Sequence, residues 1–290
     1  MFDNNFYLEQ VEKELKIVLD SEDIEQPMKD AIYYAIFPAG KRIRPLMVLA
    51  LMQDLKKEPL DALRASVTIE FLHCASLIHD DLPAFDDDDF RRGRPSCHKA
   101  YGQAPAILAG DFLPLFALKT ISKSAYNEDV KVKLSEILSN AFLELCNGQQ
   151  LDILENEEKK DKLLRIYELK TGGLFKAVLG FASVVSNMSD DFTKIALKLG
   201  AEIGVYFQII DDYIDLYGTK ENRGKPQSSD EKNGKFTVFS INTKEEGLRI
   251  LKNSENKIYD YINMLCDNSE DKSITFDNLK FFVEYMKKRM

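Results

Sequence analysis

The chain has 290 residues, 44% of them apolar and 30% charged, with a formal net charge of −9. This composition excludes a disordered chain. The acidic balance excludes a nucleic-acid binder, because phosphate-backbone contacts need clustered Lys and Arg.

In chain order, the first periodic segment is Leu8, Val11, Leu15 and Val18, whose three- and four-residue steps predict a helix. Gly40-Lys41-Arg42-Ile43-Arg44-Pro45 then packs three cations between two turn-formers. Leu63, Val67, Phe71, Cys74 and Ile78 predict a second helix, which runs into Asp80-Asp81-Leu82-Pro83-Ala84-Phe85-Asp86. Leu134, Ile137, Leu138, Ala141 and Leu145 predict a third, and Ile195, Leu199, Ile203, Tyr206 and Ile210 a fourth. That last run leads into Asp211-Asp212-Tyr213-Ile214-Asp215. Strand signals are scarce, with no Asn-Gly hairpin between alternating runs. The expectation is an all-α fold, one large helical bundle with a central cavity.

Two polar stretches read as loops. Glu155 to Asp161 is a solvated connection. Gly218 to Gly234 is longer and directly follows the second aspartate motif, where a lid is expected. The cysteines at 74, 97, 146 and 266 form no CxxC pair, so reduced thiols in a cytoplasmic protein are expected. Met1 to Asn5 has no leader pattern. Apolar runs such as Ala177 to Val185 are too short to cross a bilayer, so no transmembrane segment is expected.

Asp211 and Asp215 lie one helical turn apart on one face. Taken alone, they fit a solvated acidic face as well as a metal site. The first motif tips the balance. Asp80, Asp81, Asp86, Asp87, Asp88 and Asp89 crowd ten positions, and Pro83 should break the helix so that Asp86 returns toward Asp80. Mg²⁺ takes one or two carboxylates plus substrate phosphates, so two facing sets suit a diphosphate ester. Cations stand nearby in Gly40 to Pro45, in Arg91-Arg92-Gly93-Arg94-Pro95 and at Lys170. Arg suits bidentate phosphate contacts and Lys a point charge, although Arg91 to Arg94 could equally neutralise the aspartates. Glu70-Phe71-Leu72-His73 is an ExxH, but a di-iron bundle needs a second one, and the only histidines are His73, His79 and His98.

These residues resemble the short-chain trans-prenyl diphosphate synthases, most closely the bacterial farnesyl diphosphate synthases (geranyltranstransferases). The resemblance rests on Gly40 to Pro45, Ser76 to Ala84, Asp86 to Asp89, Arg91-Arg92-Gly93, Cys97-His98 and Leu108 to Asp111. It continues through Gly148-Gln149, Asp152, Lys170-Thr171-Gly172, Phe207-Gln208, Asp211-Asp212, Gly224-Lys225-Pro226 and Gly234-Lys235. It implies a single polyprenyl synthase domain over 1–290, a homodimer, and condensation of isopentenyl diphosphate with an allylic diphosphate, with release of pyrophosphate. Mg²⁺ is implied at Asp80, Asp86 and Asp211, supported by Asp81 and Asp215. Arg91, Lys170, Lys225 and Lys235 are implied at the allylic diphosphate. Lys41, Arg44, His73 and Arg92 are implied at isopentenyl diphosphate, and Thr171 and Gln208 beside the allylic cation.

Some positions depart from the family pattern: Ala39, Gln227-Ser228-Ser229 and Val238, all in or near loops. Five residues before the first aspartate, where farnesyl-forming relatives commonly carry an aromatic, stands Ala75, with Ser76 beside it and Phe71 and Leu72 one turn further. A small floor leaves room for geranylgeranyl diphosphate unless a neighbouring helix fills it, Phe112 and Phe116 being the candidates. Two other readings compete. A terpene cyclase would ordinarily lack the second motif in this form. A non-catalytic subunit of a heteromeric synthase would tend to lose the aspartates.

Overall fold

The structure is a computed structural model, and it describes residues 2–37, 40–153, 160–218 and 236–290. The described chain is helical almost throughout: α1 (Asn4–Asp20), α2 (Met28–Ile36), α3 (Ile43–Asp54), α4 (Leu63–Asp80), α5 (Cys97–Tyr101), α6 (Gln103–Ser122) and α7 (Glu128–Asp152). After these come α8 (Leu163–Tyr167), α9 (Gly173–Val185), α10 (Asp190–Tyr217), α11 (Val238–Ile241), α12 (Lys244–Asn268) and α13 (Asp277–Lys287). The all-α expectation holds. Among the described residues the one strand pair is Phe90–Arg91 with Arg94–Pro95. Its two-residue turn, Arg92-Gly93, has φ of 54° and 75°. Positive φ at both positions matches the twist of a tight hairpin, and Gly93 adopts it without a Cβ penalty.

α9 lies at the centre of the bundle. Eleven of its thirteen residues are buried, and it packs against α3, α4, α7 and α10. A helix apolar on all sides can only be satisfied in that position. α10 begins at Ser189, whose hydroxyl accepts from the Phe192 amide, and carries acidic Asp190 and Asp191 in its first turn. α4 is apolar around most of its circumference, and Val67, Phe71, Cys74 and Ile78 are buried as their spacing predicts.

α6 runs antiparallel to α4. His79 lies beside the Ile107 carbonyl at 3.3 Å, while near the far ends the Tyr126 hydroxyl accepts from the Ala65 amide at 3.4 Å. α6 is long and apolar enough to cross a membrane by length and composition, but half of its apolar stretch is buried within the fold. A core helix passes the same test, so α6 does not indicate a membrane span.

The chain between α7 and α9 carries the structural irregularity that shapes the site. Glu168–Gly172 forms a π turn. Gly148 and Gly204 let it pack closely: a Cβ on Gly148 would stand 2.5 Å from the Lys170 amide nitrogen, and one on Gly204 would stand 2.3 Å from the Gly172 Cα. The π turn thus sits between α7 and α10 with Lys170 and Thr171 held on it, an irregularity frequent at functional sites.

Candidate active site

The two aspartate motifs meet across one cleft of about 360 Å³. Its lining includes Asp80 and Asp86 on one side and Asp211 and Asp215 on the other, with Lys170, Thr171 and Gln208 between them. α4 ends at Asp80, the chain turns through Pro83, and the Asp86 amide donates to the Asp80 carbonyl at 2.9 Å. The proline break therefore brings Asp86 back beside Asp80.

Burial raises the pKa of Asp80 against the pull of Lys170, whose Nζ is 3.9 Å away. Burial also raises Asp211, against the pull of Arg289. Lys170 bonds Asp152 at 2.8 Å. Burial pulls its ammonium down, but Asp80 and then Asp152 outweigh that and hold it charged. The Thr171 hydroxyl donates to Gln208 Oε1 at 3.1 Å, so the structure brings this expected pair together.

A second cleft of about 680 Å³ adjoins the first and shares Arg44, His73, Leu77, Arg91, Phe207, Asp211 and Arg289 with it. Lys41 and Arg92 line only the second cleft of the two. Buried Arg44 Nε and Arg289 Nη1 have no hydrogen-bond partner among the described residues. An unsatisfied buried donor costs about 1–3 kcal/mol, which an anionic ligand would offset. Burial and then Arg44 depress the pKa of His73 well below the ordinary value, so it stands in the cleft as a neutral imidazole.

Other expected residues lie elsewhere. Asp81 is buried and turned away from the aspartate cleft into a bidentate pair with Arg91, which also reaches Asp88 at 3.4 Å. Arg91 lines both clefts, yet its guanidinium also serves the neutralising role weighed for it above. Arg42 is structural: it bonds Glu12 at 2.8 Å, Glu70 at 2.6 Å and the Ile36 carbonyl at 2.7 Å. Glu70 is thereby engaged, which removes the carboxylate a di-iron site would need.

Phe116 packs on Phe71 at 5.3 Å and Phe112 stacks on Phe116 at 5.4 Å, and neither α6 ring lines the aspartate cleft. Ala75 is fully buried, and Ser76 does line the cleft. Lys225, Lys235, Ala39, Gln227-Ser228-Ser229 and most of the 218–234 lid lie outside the described residues. Val238 is described, and its amide donates to Asp212.

Two residues here escape sequence reasoning. Arg289 pairs with Asp211 at 2.7 Å and lies 5.0 Å over the Phe207 ring. Tyr167 donates a short hydrogen bond to Asp212. Arg289 carries no motif. Tyr167 and Asp212 are 45 residues apart, beyond any periodicity.

Among the described residues, no group of three or more His, Cys, Asp or Glu converges tightly enough to hold a metal by itself. The donor set still fits Mg²⁺. All four lining acids are hard oxygen donors. Mg²⁺ binds through one or two carboxylates and completes its shell with water and phosphate oxygens. Asp80 and Asp211 are partly buried, and burial raises both pKa values, so a divalent cation beside them would restore the charged form.

Residues 25–272 match the polyprenyl synthetase family, and the chain belongs to it. Over 267 residues it is 36% identical to a farnesyl diphosphate synthase of Micrococcus luteus, covering 90% of this chain and 89% of that one. It is 34% identical to a geranylgeranyl diphosphate synthase of Cyanophora paradoxa, covering 86% and 82%. A Helicobacter pylori geranyltransferase solved with magnesium and isoprenyl diphosphate superposes with a TM-score of 0.79 at 25% identity, covering 98% and 97%. The chain is thus an enzyme of the prenyl diphosphate synthase class, a family that uses Mg²⁺.

Proposed function

We propose that this chain, acting as one catalytic domain, condenses isopentenyl diphosphate with dimethylallyl or geranyl diphosphate to give farnesyl diphosphate and pyrophosphate. The observation that carries this reading is the pair of adjoining clefts with different linings. One is carboxylate-rich and suits a diphosphate bound through metal. The other adds Lys41 and Arg92 to the shared Arg44 and Arg289 and suits a diphosphate bound directly.

Asp80, Asp86 and Asp211 would hold Mg²⁺, with Asp215 beside them. Held there, Mg²⁺ would supply positive charge to neutralise the diphosphate leaving group. Lys170 adds a fixed positive charge on the same side. The allylic C–O bond breaks and pyrophosphate leaves with the electron pair. The π electrons of isopentenyl diphosphate then form the new C–C bond. The resulting tertiary cation loses a proton to pyrophosphate and becomes the new double bond. The Thr171 and Gln208 oxygens, held together by their hydrogen bond, would face the developing allylic charge as a preorganised electrostatic arrangement. Lys225 and Lys235 belong to the same proposal.

A second product, geranylgeranyl diphosphate, is favoured by one observation. An apolar groove of about 430 Å³ is lined by Leu72, Pro114, Leu118, Leu138 and Phe142. Leu72, Ser76 and Asp80 are successive turns of one α4 face, so a growing tail passing small Ser76 would reach that groove.

Leu115 and Leu143 on the groove's rim are 71% and 61% exposed, and Leu108 and Val132 extend the same faces of α6 and α7. A patch of this kind suits a second copy of the chain, hence a homodimer. The four cysteines are free thiols, which suits the cytoplasm.

Pyrophosphate release with Mg²⁺, with and without isopentenyl diphosphate, tests the reading. Release that requires isopentenyl diphosphate supports it. Release without it points to cyclisation or hydrolysis, and no release under either condition points to a non-catalytic subunit.

A further inference from the structure

The middle aspartate of the second motif does a different job from its neighbours. Asp211 and Asp215 line the aspartate cleft, whereas Asp212 is 4% exposed and lies behind it. Three donors converge on its carboxylate. Tyr167 O–H and the Val238 amide, the latter at 3.2 Å, reach Oδ2, and Gln208 Nε2 reaches Oδ1 at 3.3 Å.

A primary amide has two unlike ends. Burial raises the Asp212 pKa to about 7; in the ionised form its carboxylate accepts and cannot donate, and the Gln208 NH₂ is the end that faces its Oδ1. The amide oxygen must then point the other way, where it accepts from the Thr171 hydroxyl. Reversed, the amide would present N–H donors toward the cleft and disfavour positive charge there. Tyr167 adds a second constraint. It is the residue immediately before the π turn that carries Thr171, so its bond to Asp212 ties that turn to α10.

We propose that Asp212 and Tyr167 are positioning residues that fix the Gln208 amide with its oxygen toward Thr171 and the reacting allylic carbon. This inference rests on the proposed carbocation role of Thr171 and Gln208. Asp212→Asn puts an NH₂ opposite Gln208 and turns the Gln208 amide over. Wild type and variants are assayed as full-length enzyme with Mg²⁺, isopentenyl diphosphate and geranyl diphosphate, with thermal melting alongside.

The expected result for Asp212→Asn is a kcat loss of roughly a hundredfold, with KM for both substrates within about twofold. In Asp212→Asn/Gln208→Glu, the Glu side chain again accepts from both the Asn amide and Thr171, so kcat recovers at least about tenfold. Tyr167→Phe, which keeps the ring, lowers kcat several-fold at unchanged KM and keeps the test open if Asp212→Asn does not fold. An unchanged kcat in both single variants, a loss expressed in KM, or the absence of rescue in a folded double variant overturns the inference. A wild-type enzyme that forms no condensation product overturns the underlying reading instead.

Discussion

Arg289 and Asp211 form an ion pair at 2.7 Å where the two clefts join. One residue comes from the last turn of the described chain and the other from the second aspartate motif. The second guanidinium nitrogen, Nη1, is buried with no partner among the described residues. Arg289 thus stands ready to take a phosphate oxygen while its charge opposes the rise that burial imposes on the Asp211 pKa. Arg289→Ala is expected to raise KM for isopentenyl diphosphate by about tenfold, equivalent to about 1.4 kcal/mol. Steady-state kinetics with each substrate varied in turn measures this, and an unchanged KM would contradict it.

The motif acids divide into those that line the cleft, Asp80, Asp86, Asp211 and Asp215, and those turned from it, Asp81 and Asp212. Asp80→Asn and Asp211→Asn should each lower kcat by at least about a thousandfold, while Asp215→Asn should cost less because Asp215 lies at the exposed edge. Chelating the metal should abolish turnover and added Mg²⁺ should restore it. Activity that survives exhaustive chelation would remove the metal from the account.

Product length should respond to Ser76. Ser76→Phe would close the step between the aspartate cleft and the apolar groove. If the tail follows this face of α4, the variant makes a shorter product than the wild type, resolved by chromatography of the dephosphorylated alcohols. Ala75→Tyr tests the same route less cleanly. Ala75 is fully buried, and overpacking there costs about 1–3 kcal/mol of stability. An unaltered product distribution in Ser76→Phe would place the tail elsewhere.

Arg42 and Glu70 make a prediction about stability rather than chemistry. Both are almost wholly buried and joined at 2.6 Å. Arg42→Ala leaves Glu70 buried without its partner and should destabilise the fold by about 3–5 kcal/mol. Denaturant unfolding reads this directly. A loss below 1 kcal/mol would show that Glu70 finds another partner.

His73 makes stability depend on pH. Its folded pKa lies well below the ordinary 6.5, through burial and then Arg44. The unfolded state therefore binds the extra proton first, and His73 destabilises the fold as pH falls below about 6.5. Between that point and the folded pKa, the wild type should lose up to about 1.4 kcal/mol per pH unit more than His73→Gln. Parallel melting curves from pH 7.5 to 5 that coincide in slope would contradict this.

The features legible in the sequence are those written in local spacing. The period of Val67, Phe71, Cys74 and Ile78 predicts α4, and Pro83 predicts the turn that returns Asp86 to Asp80. Lys170, Thr171, Gln208 and the two aspartate motifs do converge on one cleft. Spacing says nothing about which way a charged side chain faces. Arg42 and Arg44 differ by two positions in one basic run, yet the first is locked to Glu70 and only the second also lines the aspartate cleft. Asp81 and Asp212 carry the same side chain as their neighbours but turn into Arg91 and Tyr167. The Arg92-Gly93 turn was not visible because its short strands have no alternating pattern to announce them.

The most direct test of the central claim is incorporation of labelled isopentenyl diphosphate into an allylic product, with Mg²⁺ and dimethylallyl diphosphate. The account predicts farnesyl diphosphate, with one pyrophosphate released per isopentenyl unit added and no label incorporated by Asp80→Asn or Asp211→Asn. Wild-type enzyme that consumes the allylic diphosphate without incorporating label would contradict it.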